Sequence, residues 1–344
     1  MVRSTSEMAQ FVPRAIFPSQ LDLPRSYFLG HHASGLAEMK TMLTQIQLII
    51  ECRDYRVPLT SRNPLFEQSL VGRERLVVYT KKDLGSTERR IDRIRESIIR
   101  DWHRPQPTFF TDYRSKKDIK RLLEFFKEHA NQRQSVLSSR VLVVGMPNVG
   151  KSSLLNSLRK IGVKKSKAAA TGAQPGITRK IASAVRIVER DREENFEGVY
   201  LVDTPGVFIP YVSDAESMLK LALVGSVKDT IIPPVTLCDY LLFRMNQQPG
   251  GERLYQDYNP PTNNVVEFLE AVCRKTGRLK KGDIPDIDAA ALWIIQRWRQ
   301  GNMGRFVLDQ IEESGLERKL NEEPVTSFSQ ARKQLKNARR EKSK

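Results

Sequence analysis

Residues 145–152 read G-M-P-N-V-G-K-S. The run fits G-x-x-x-x-G-K-[ST], a loop whose backbone N–H groups wrap phosphates while its lysine reaches the β and γ oxygens and its hydroxyl holds Mg²⁺. A chain of this length meets the pattern by chance roughly once in a hundred sequences. The flanks supply the strand and helix that the loop needs. Val141-Leu142-Val143-Val144 is a continuous apolar run, as in a parallel strand buried on both faces. Leu154, Leu155, Leu158 and Ile161 recur at helical spacing, so a helix begins at about Lys151 with its positive dipole end towards the phosphates. Asn148, Val149, Gly150, Lys151, Ser152 and Ser153 are the nucleotide-binding residues this predicts. Lys151 also acts on the transferred phosphate, and Ser152 on the metal.

The chain has 344 residues and a formal net charge of +17. That length holds two domains, or one large domain with appendages. A charge of this size releases counterions from a phosphate surface, so nucleic acid and an anionic membrane surface are the partner classes. Beside a nucleotide loop it points to RNA. Cys52, Cys238 and Cys273 are far apart and form no C-x-x-C pair, against a zinc site or disulfide framework and for a reducing compartment. No apolar run reaches the length of a membrane span.

Downstream of the loop, residues 171–178 (T-G-A-Q-P-G-I-T) place Thr178 to join the Mg²⁺ shell and sense the γ-phosphate. Residues 182–188 and 198–202 read as an antiparallel pair that ends in Asp203-Thr204-Pro205-Gly206. An aspartate at that strand end orients a Mg²⁺-bound water, and the bare backbone of Gly206 approaches the γ-phosphate.

Upstream, the strand over residues 76–79 runs into Thr80-Lys81-Lys82-Asp83. An [NT]-K-x-D pattern there reads guanine. The Asp83 carboxylate accepts from N1–H and the exocyclic amine, a donor pair that adenine lacks, and the Lys81 stem covers the base. Further strands are expected over 46–52 and 108–111, the second ending at Asp112-Tyr113-Arg114 beside the base. Residues 54–64 between the first two strands read as an ordered loop. Ser86 is expected to cap a helix with Ile91, Ile94, Ile98 and Trp102 on its inner face. Ile119, Leu122, Leu123 and Phe126 mark another.

In an ordinary small GTPase the phosphate loop comes first and the guanine-reading motif last. Here T-K-K-D at 80–83 precedes the loop at 145–152. The last three strands of the usual fold stand at the front. The expected fold is therefore α/β: a circularly permuted P-loop GTPase domain, mostly parallel, with helices on both faces of the sheet.

The chain resembles the circularly permuted GTPases of the ribosome-biogenesis GTPase A group, from about residue 28 to past 300. The resemblance rests on Gly30-His31, on D-x-R-x-P-x-x-S-R-N-P at 54–64, on T-K-K-D, on the phosphate loop with its S-L-L-N-S-L-R extension, on T-G-A-x-P-G-I-T, on D-T-P-G and on 221–228 (L-A-L-V-G-S-V-K). It implies a GTPase using GTP and Mg²⁺, with a small helical domain that contacts ribosomal RNA. Val207 follows D-T-P-G where many GTPases place a water-orienting glutamine. The family's substitute is a histidine in the G-H motif, which maps onto His31 with His32 beside it. The lysine usual three residues later is Ser34 here. Asn148 matches relatives that use K⁺ as an accessory cation.

The resemblance implies four spans: an N-terminal extension (1–30) with the arginines of a targeting segment, the GTPase domain (31–212), a helical RNA- and ribosome-binding domain (213–316) and a basic tail (317–344). In the helical span, helices are expected around 218–227, 235–243, 265–272 and 289–298, with Trp293 and Trp298 in the core. The function implied is a switch that binds the assembling large ribosomal subunit, its rRNA and proteins, and leaves on hydrolysis. The place implied is the mitochondrial matrix, peripheral on the inner membrane, with no transmembrane segment and no DNA partner. Two rivals stay open: a constitutive RNA-binding scaffold that uses nucleotide only for folding, and a P-loop small-molecule kinase, which has no use for T-K-K-D together with D-T-P-G.

Overall fold

The structure, a computed structural model, describes residues 11–18, 23–24, 37, 39–86, 88–132, 138–165, 184–191, 196–209, 212 and 214–322. The chain forms two compact units, one built on a sheet (22–231 with 305–344) and one helical (1–21 with 232–304).

The sheet unit begins with β1 (Leu48–Asp54), a short helix α1 (Pro64–Ser69), β2 (Arg75–Thr80), α2 (Arg89–His103), β3 (Thr108–Phe110) and α3 (Lys116–Gln132). The phosphate-loop strand β4 (Ser139–Gly145) and helix α4 (Lys151–Gly162) follow, then β5 (Val185–Val188), β6 (Val199–Asp203) and α5 (Ala215–Leu223). The six strands lie in the order β3-β2-β1-β4-β6-β5. All pairings are parallel except β5 with β6. This is the permuted GTPase sheet: β4 sits centrally beside β1, which stands far ahead of it in the chain, with β2, the strand that runs into T-K-K-D, one step further out.

The continuous apolar runs become the fully buried strands, as expected of a parallel sheet covered on both faces. Register puts Ile49, Glu51 and Arg53 of β1 on the same face as Leu142 and Val144 of β4 and Val77 and Tyr79 of β2. Two apolar clusters form there, one around Ile49, Leu142, Val144 and Val202, the other around Val77, Tyr79, Ile99 and Phe110.

Two expectations, both about α2, need correcting. Helix α2 turns Asp92, Glu96, Ile99 and His103 inward, while Ile91 and Ile94 are exposed. The reason is polar: Asp92 accepts from the Tyr55 hydroxyl at 3.1 Å and Glu96 pairs with Lys82 at 2.6 Å. Its N-cap is Glu88, and Ser86 instead accepts from the Glu88 N–H at 2.9 Å. The 54–64 stretch is an ordered loop, as expected, and it ends as a cap: Asn63 accepts from the Leu65 N–H at 3.0 Å, with Pro64 in the first turn of α1.

Residues 214–231 and 305–322 belong to the sheet unit. The Asp309 carboxylate accepts from the Leu59 and Thr60 N–H groups at 2.9 and 2.8 Å and from the Thr60 hydroxyl at 2.6 Å. That leads into α9 (Gly315–Glu322).

The helical unit contains α6 (Pro234–Asn246), α7 (Val265–Thr276), the hairpin β7–β8 (Leu279–Lys280, Ile284–Pro285) and α8 (Ile287–Arg299). Helix α8 packs on α6 and α7 and buries Trp298. Residues 11–18 of the N-terminal extension are part of this unit: the Arg14 guanidinium pairs with Asp239 at 2.6 Å, and Phe17 meets Tyr240 edge-on at 5.3 Å. Trp293 departs from the core reading. It is half-buried, with the guanidiniums of Arg278 and Arg297 at 4.2 and 4.9 Å from its ring. Among the described residues, no helix is long and apolar enough to cross a membrane.

Candidate nucleotide site

The parallel strands end together, and the loops beyond β4, β6 and β2 converge there. Gly145 closes β4 at φ +151°, where an added Cβ would stand 2.4 Å from the Cys52 carbonyl oxygen, so only glycine lets the loop turn away beside β1. Asn148 and Gly150 also have positive φ, and Gly150 caps α4, whose N-terminus therefore opens onto the loop. The Lys151 ammonium donates to the carbonyls of Met146 at 2.8 Å and Gly145 at 3.3 Å. Burial lowers its pKa, with the Asp203 and Cys52 charges acting the other way.

Ser152 donates to Asp203 Oδ2 at 2.7 Å, which brings together two of the residues expected to hold the metal. Asp203 Oδ1 is buried without a hydrogen-bond partner among the described residues, and burial raises the pKa of its carboxyl. An orphaned carboxylate oxygen beside a hydroxyl fits Mg²⁺, which keeps several waters and takes few protein ligands. Ser153 lies in the first turn of α4. The D-T-P-G segment is held against the loop: Thr204 donates to the Val143 carbonyl at 2.6 Å, and a Cβ on Gly206 would come within 2.5 Å of Pro147 Cα. Any shift of the phosphate loop must therefore be felt at Gly206. Val207 is buried in the core with Val144 and Val202, so its side chain orients no water.

On the base side, the Thr80 hydroxyl donates to the carbonyls of Val149 and, at 3.2 Å, Arg53. Lys81 has φ 57° and donates from Nζ to the Asn148 carbonyl at 2.6 Å and Asp54 Oδ2 at 2.9 Å. Burial works to raise the Asp54 pKa, but Arg56 and Lys81 outweigh it and hold the carboxyl well below the usual carboxylate range. Asp83 pairs with Arg114, which also reaches Asp112 at 3.3 Å. Burial and the Asp112 charge raise the Asp83 pKa.

The structure thus brings Thr80, Lys81, Asn148, Val149, Lys151, Ser152, Asp203 and Gly206 into one cleft, with Asp83 on its base side. His31, His32, Ser34, Thr178 and the 171–178 stretch lie outside the described residues, as do 1–10 and 323–344. Sequence reasoning gave no side-chain role to Asp54, Asn63 or Arg114. Asp54 positions Lys81, and Asn63 donates to the Val207 carbonyl at 2.8 Å and so ties the residue after Gly206 to α1. The D-x-R-x-P-x-x-S-R-N-P run carried the signal for the first two, and D-Y-R for the third.

The family described as 50S ribosome-binding GTPase matches residues 140–270. Mitochondrial GTPase 1 of Schizosaccharomyces pombe is 37% identical over 333 residues, covering 91% of this chain and 97% of that protein. Mitochondrial ribosome-associated GTPase 1 of Xenopus tropicalis is 32% identical over 304 residues, covering 82% and 94%. The crystal structure of GNP-bound YlqF from T. maritima superposes with a TM-score of 0.54 at 23% identity, over 80% of this chain and 97% of that one, a likeness of fold. The permuted sheet agrees with that likeness of fold, and on its similarity to these relatives the chain belongs to the mitochondrial GTPase 1 family of circularly permuted GTPases.

Proposed function

We propose that this GTPase is an assembly factor of the large mitochondrial ribosomal subunit that binds it in the GTP state and leaves on hydrolysis. Its place of action is the mitochondrial matrix, with peripheral contact to the inner membrane. The observation that carries the RNA contact is the arginine–tryptophan–arginine stack on the helical unit. Two flat cations beside a half-buried indole make a surface for unstacked bases and phosphates. Relatives named as mitochondrial ribosome-associated cover both units, which supports the same partner for this chain.

In this reading the sheet unit is the GTPase domain, the helical unit contacts the RNA, and the basic tail adds salt-dependent affinity. His31 orients the attacking water, a task that the buried Val207 leaves open. Thr178 completes the Mg²⁺ shell of Ser152 and Asp203, and Asn148 marks stimulation by K⁺. Gly206, packed on the phosphate loop, carries the γ-phosphate signal into the segment before α5. A ligand shifts an equilibrium only by its differential affinity, so the subunit must bind the GTP form more tightly.

The test is subunit affinity with a non-hydrolysable GTP analogue and with GDP, across a salt series. Tighter binding with the analogue and a shallower salt slope without residues 331–344 are expected. Equal affinities in the two states would leave a constitutive scaffold instead.

A further inference from the structure

The sheet unit has a second pocket, of about 190 Å³, and none of the residues lining it belongs to the phosphate loop, T-K-K-D or D-T-P-G. Four guanidiniums face it, from Arg53, Arg62, Arg75 and Arg104. Arg53 and Arg62 are 1% and 7% exposed, while the Arg104 side chain, 80% exposed, stands at the rim with Asp101 at 2.8 Å. Glu51 is shared between two of the four, accepting from Arg53 Nε at 2.6 Å and Arg75 Nη1 at 2.9 Å.

His103 on the wall meets the Tyr79 hydroxyl at 2.8 Å. Burial, then the charges of Arg53, Arg75 and Arg62, pull its pKa down to about 2, so the imidazole stays neutral and adds no charge of its own to this wall. Facing the charges are Trp102, Leu316 and Leu320. The indole is fixed by its N–H donating to the carbonyls of Glu312 and Glu313 at 2.9 and 3.0 Å.

Planar guanidinium forks match phosphate oxygens in pairs. A structural ion-pair network needs no cavity, whereas these arginines surround one. The volume lies below the roughly 300–1,000 Å³ of drug-sized ligand sites and suits a phosphate on its sugar. The apolar wall suits the carbon face of that sugar or the edge of a base.

We propose that this pocket is a second anion site, separate from the nucleotide cleft, which takes a phosphate group carried on a ribose: a free nucleotide or one backbone unit of RNA. It holds whether or not the chain works on a ribosome, because it needs only the pocket.

The experiment uses the full chain loaded with a non-hydrolysable GTP analogue, so that the guanine site is filled. Inorganic phosphate, UMP and a single-stranded oligouridylate are titrated calorimetrically at low salt into the unaltered protein, Arg104→Glu, Arg62→Gln and Arg121→Glu. Arg121, exposed on α3, lies outside the pocket and reports bulk charge alone. Circular dichroism checks that each variant is folded. If Arg62→Gln fails to fold, the rim variant Arg104→Glu still decides.

Arg104→Glu should weaken at least one probe about tenfold or more, with Arg121→Glu close to the unaltered protein. Weakened UMP binding identifies a free nucleotide as the ligand, and an effect on the oligonucleotide alone identifies RNA. No weakening in any arm, or equal weakening by Arg121→Glu, would overturn the proposal.

Discussion

Arg53 and Asp54 are neighbours at the end of β1, yet they serve sites of opposite character. Successive strand residues point to opposite faces. Arg53 joins Glu51 on the face with Arg75 and Tyr79, while Asp54 turns to Lys81 and Arg56 beside the phosphate loop. Around the nucleotide loops, each charge has a partner close by: Asp54 has Arg56 and Lys81, Asp203 has the Ser152 hydroxyl, and Lys151 has the Gly145 and Met146 carbonyls. Around Arg53 the balance tips to the cation, and His103 is kept neutral.

The largest test of this contrast removes the cleft's main phosphate cation. Lys151→Ala should weaken GTP by more than about a hundredfold in a fluorescent-analogue titration, since two or more charged hydrogen bonds at about 1.5–3 kcal/mol each are lost. The matched pairing predicts a loss of stability next. Asp54→Asn strips Arg56, 1% exposed, and Lys81 of their shared carboxylate, and breaking a buried pair costs about 3–5 kcal/mol. An unchanged denaturation midpoint would show that Asp54 does not hold the base side together.

Asp83→Asn should be smaller in energy but sharper in meaning. The amide offers one acceptor and one donor, so GTP should lose about 1.5–3 kcal/mol and xanthosine triphosphate should gain. Arg114 also loses its charged partner in this variant, so Arg114→Ala serves as the control that lacks the specificity change. Unchanged discrimination between the two nucleotides would remove Asp83 from base reading.

The cleft was legible because its parts are local. A strand, a glycine turn and a helix within about twenty residues fix the phosphate loop, and motif order alone showed that the sheet is permuted. The pattern failed where partners are distant. Apolar spacing put Ile91 and Ile94 inside α2, but Asp92 and Glu96 turn inward because Tyr55 and Lys82 await them. The Asn63 cap was within reach, since an asparagine before proline is a helix-start signal. The second pocket had no sequence signature at all, because its arginines come from positions 53, 62, 75 and 104 and its apolar wall from 316 and 320.

The smallest effect concerns that second cluster and appears only in acid. His103 is 6% exposed and its pKa falls from 6.5 to about 2, first through burial and then through Arg53, Arg75 and Arg62. Between those values the unfolded chain binds a proton that the folded one refuses, so stability rises with pH up to about 6.5 and is lost as pH falls below it. The slope for one such group is about 1.4 kcal/mol per pH unit. Denaturation at pH 7.5 and 5.5 should therefore show a loss near that size in the unaltered protein. His103→Gln, which can keep a hydrogen bond to Tyr79 but does not titrate, should lose about 1.4 kcal/mol less over the same interval. The difference between the two proteins cancels the other titrating groups, Asp83 among them. Parallel pH profiles would mean that His103 is protonated in the folded state and that neither its burial nor Arg53, Arg75 and Arg62 hold it neutral.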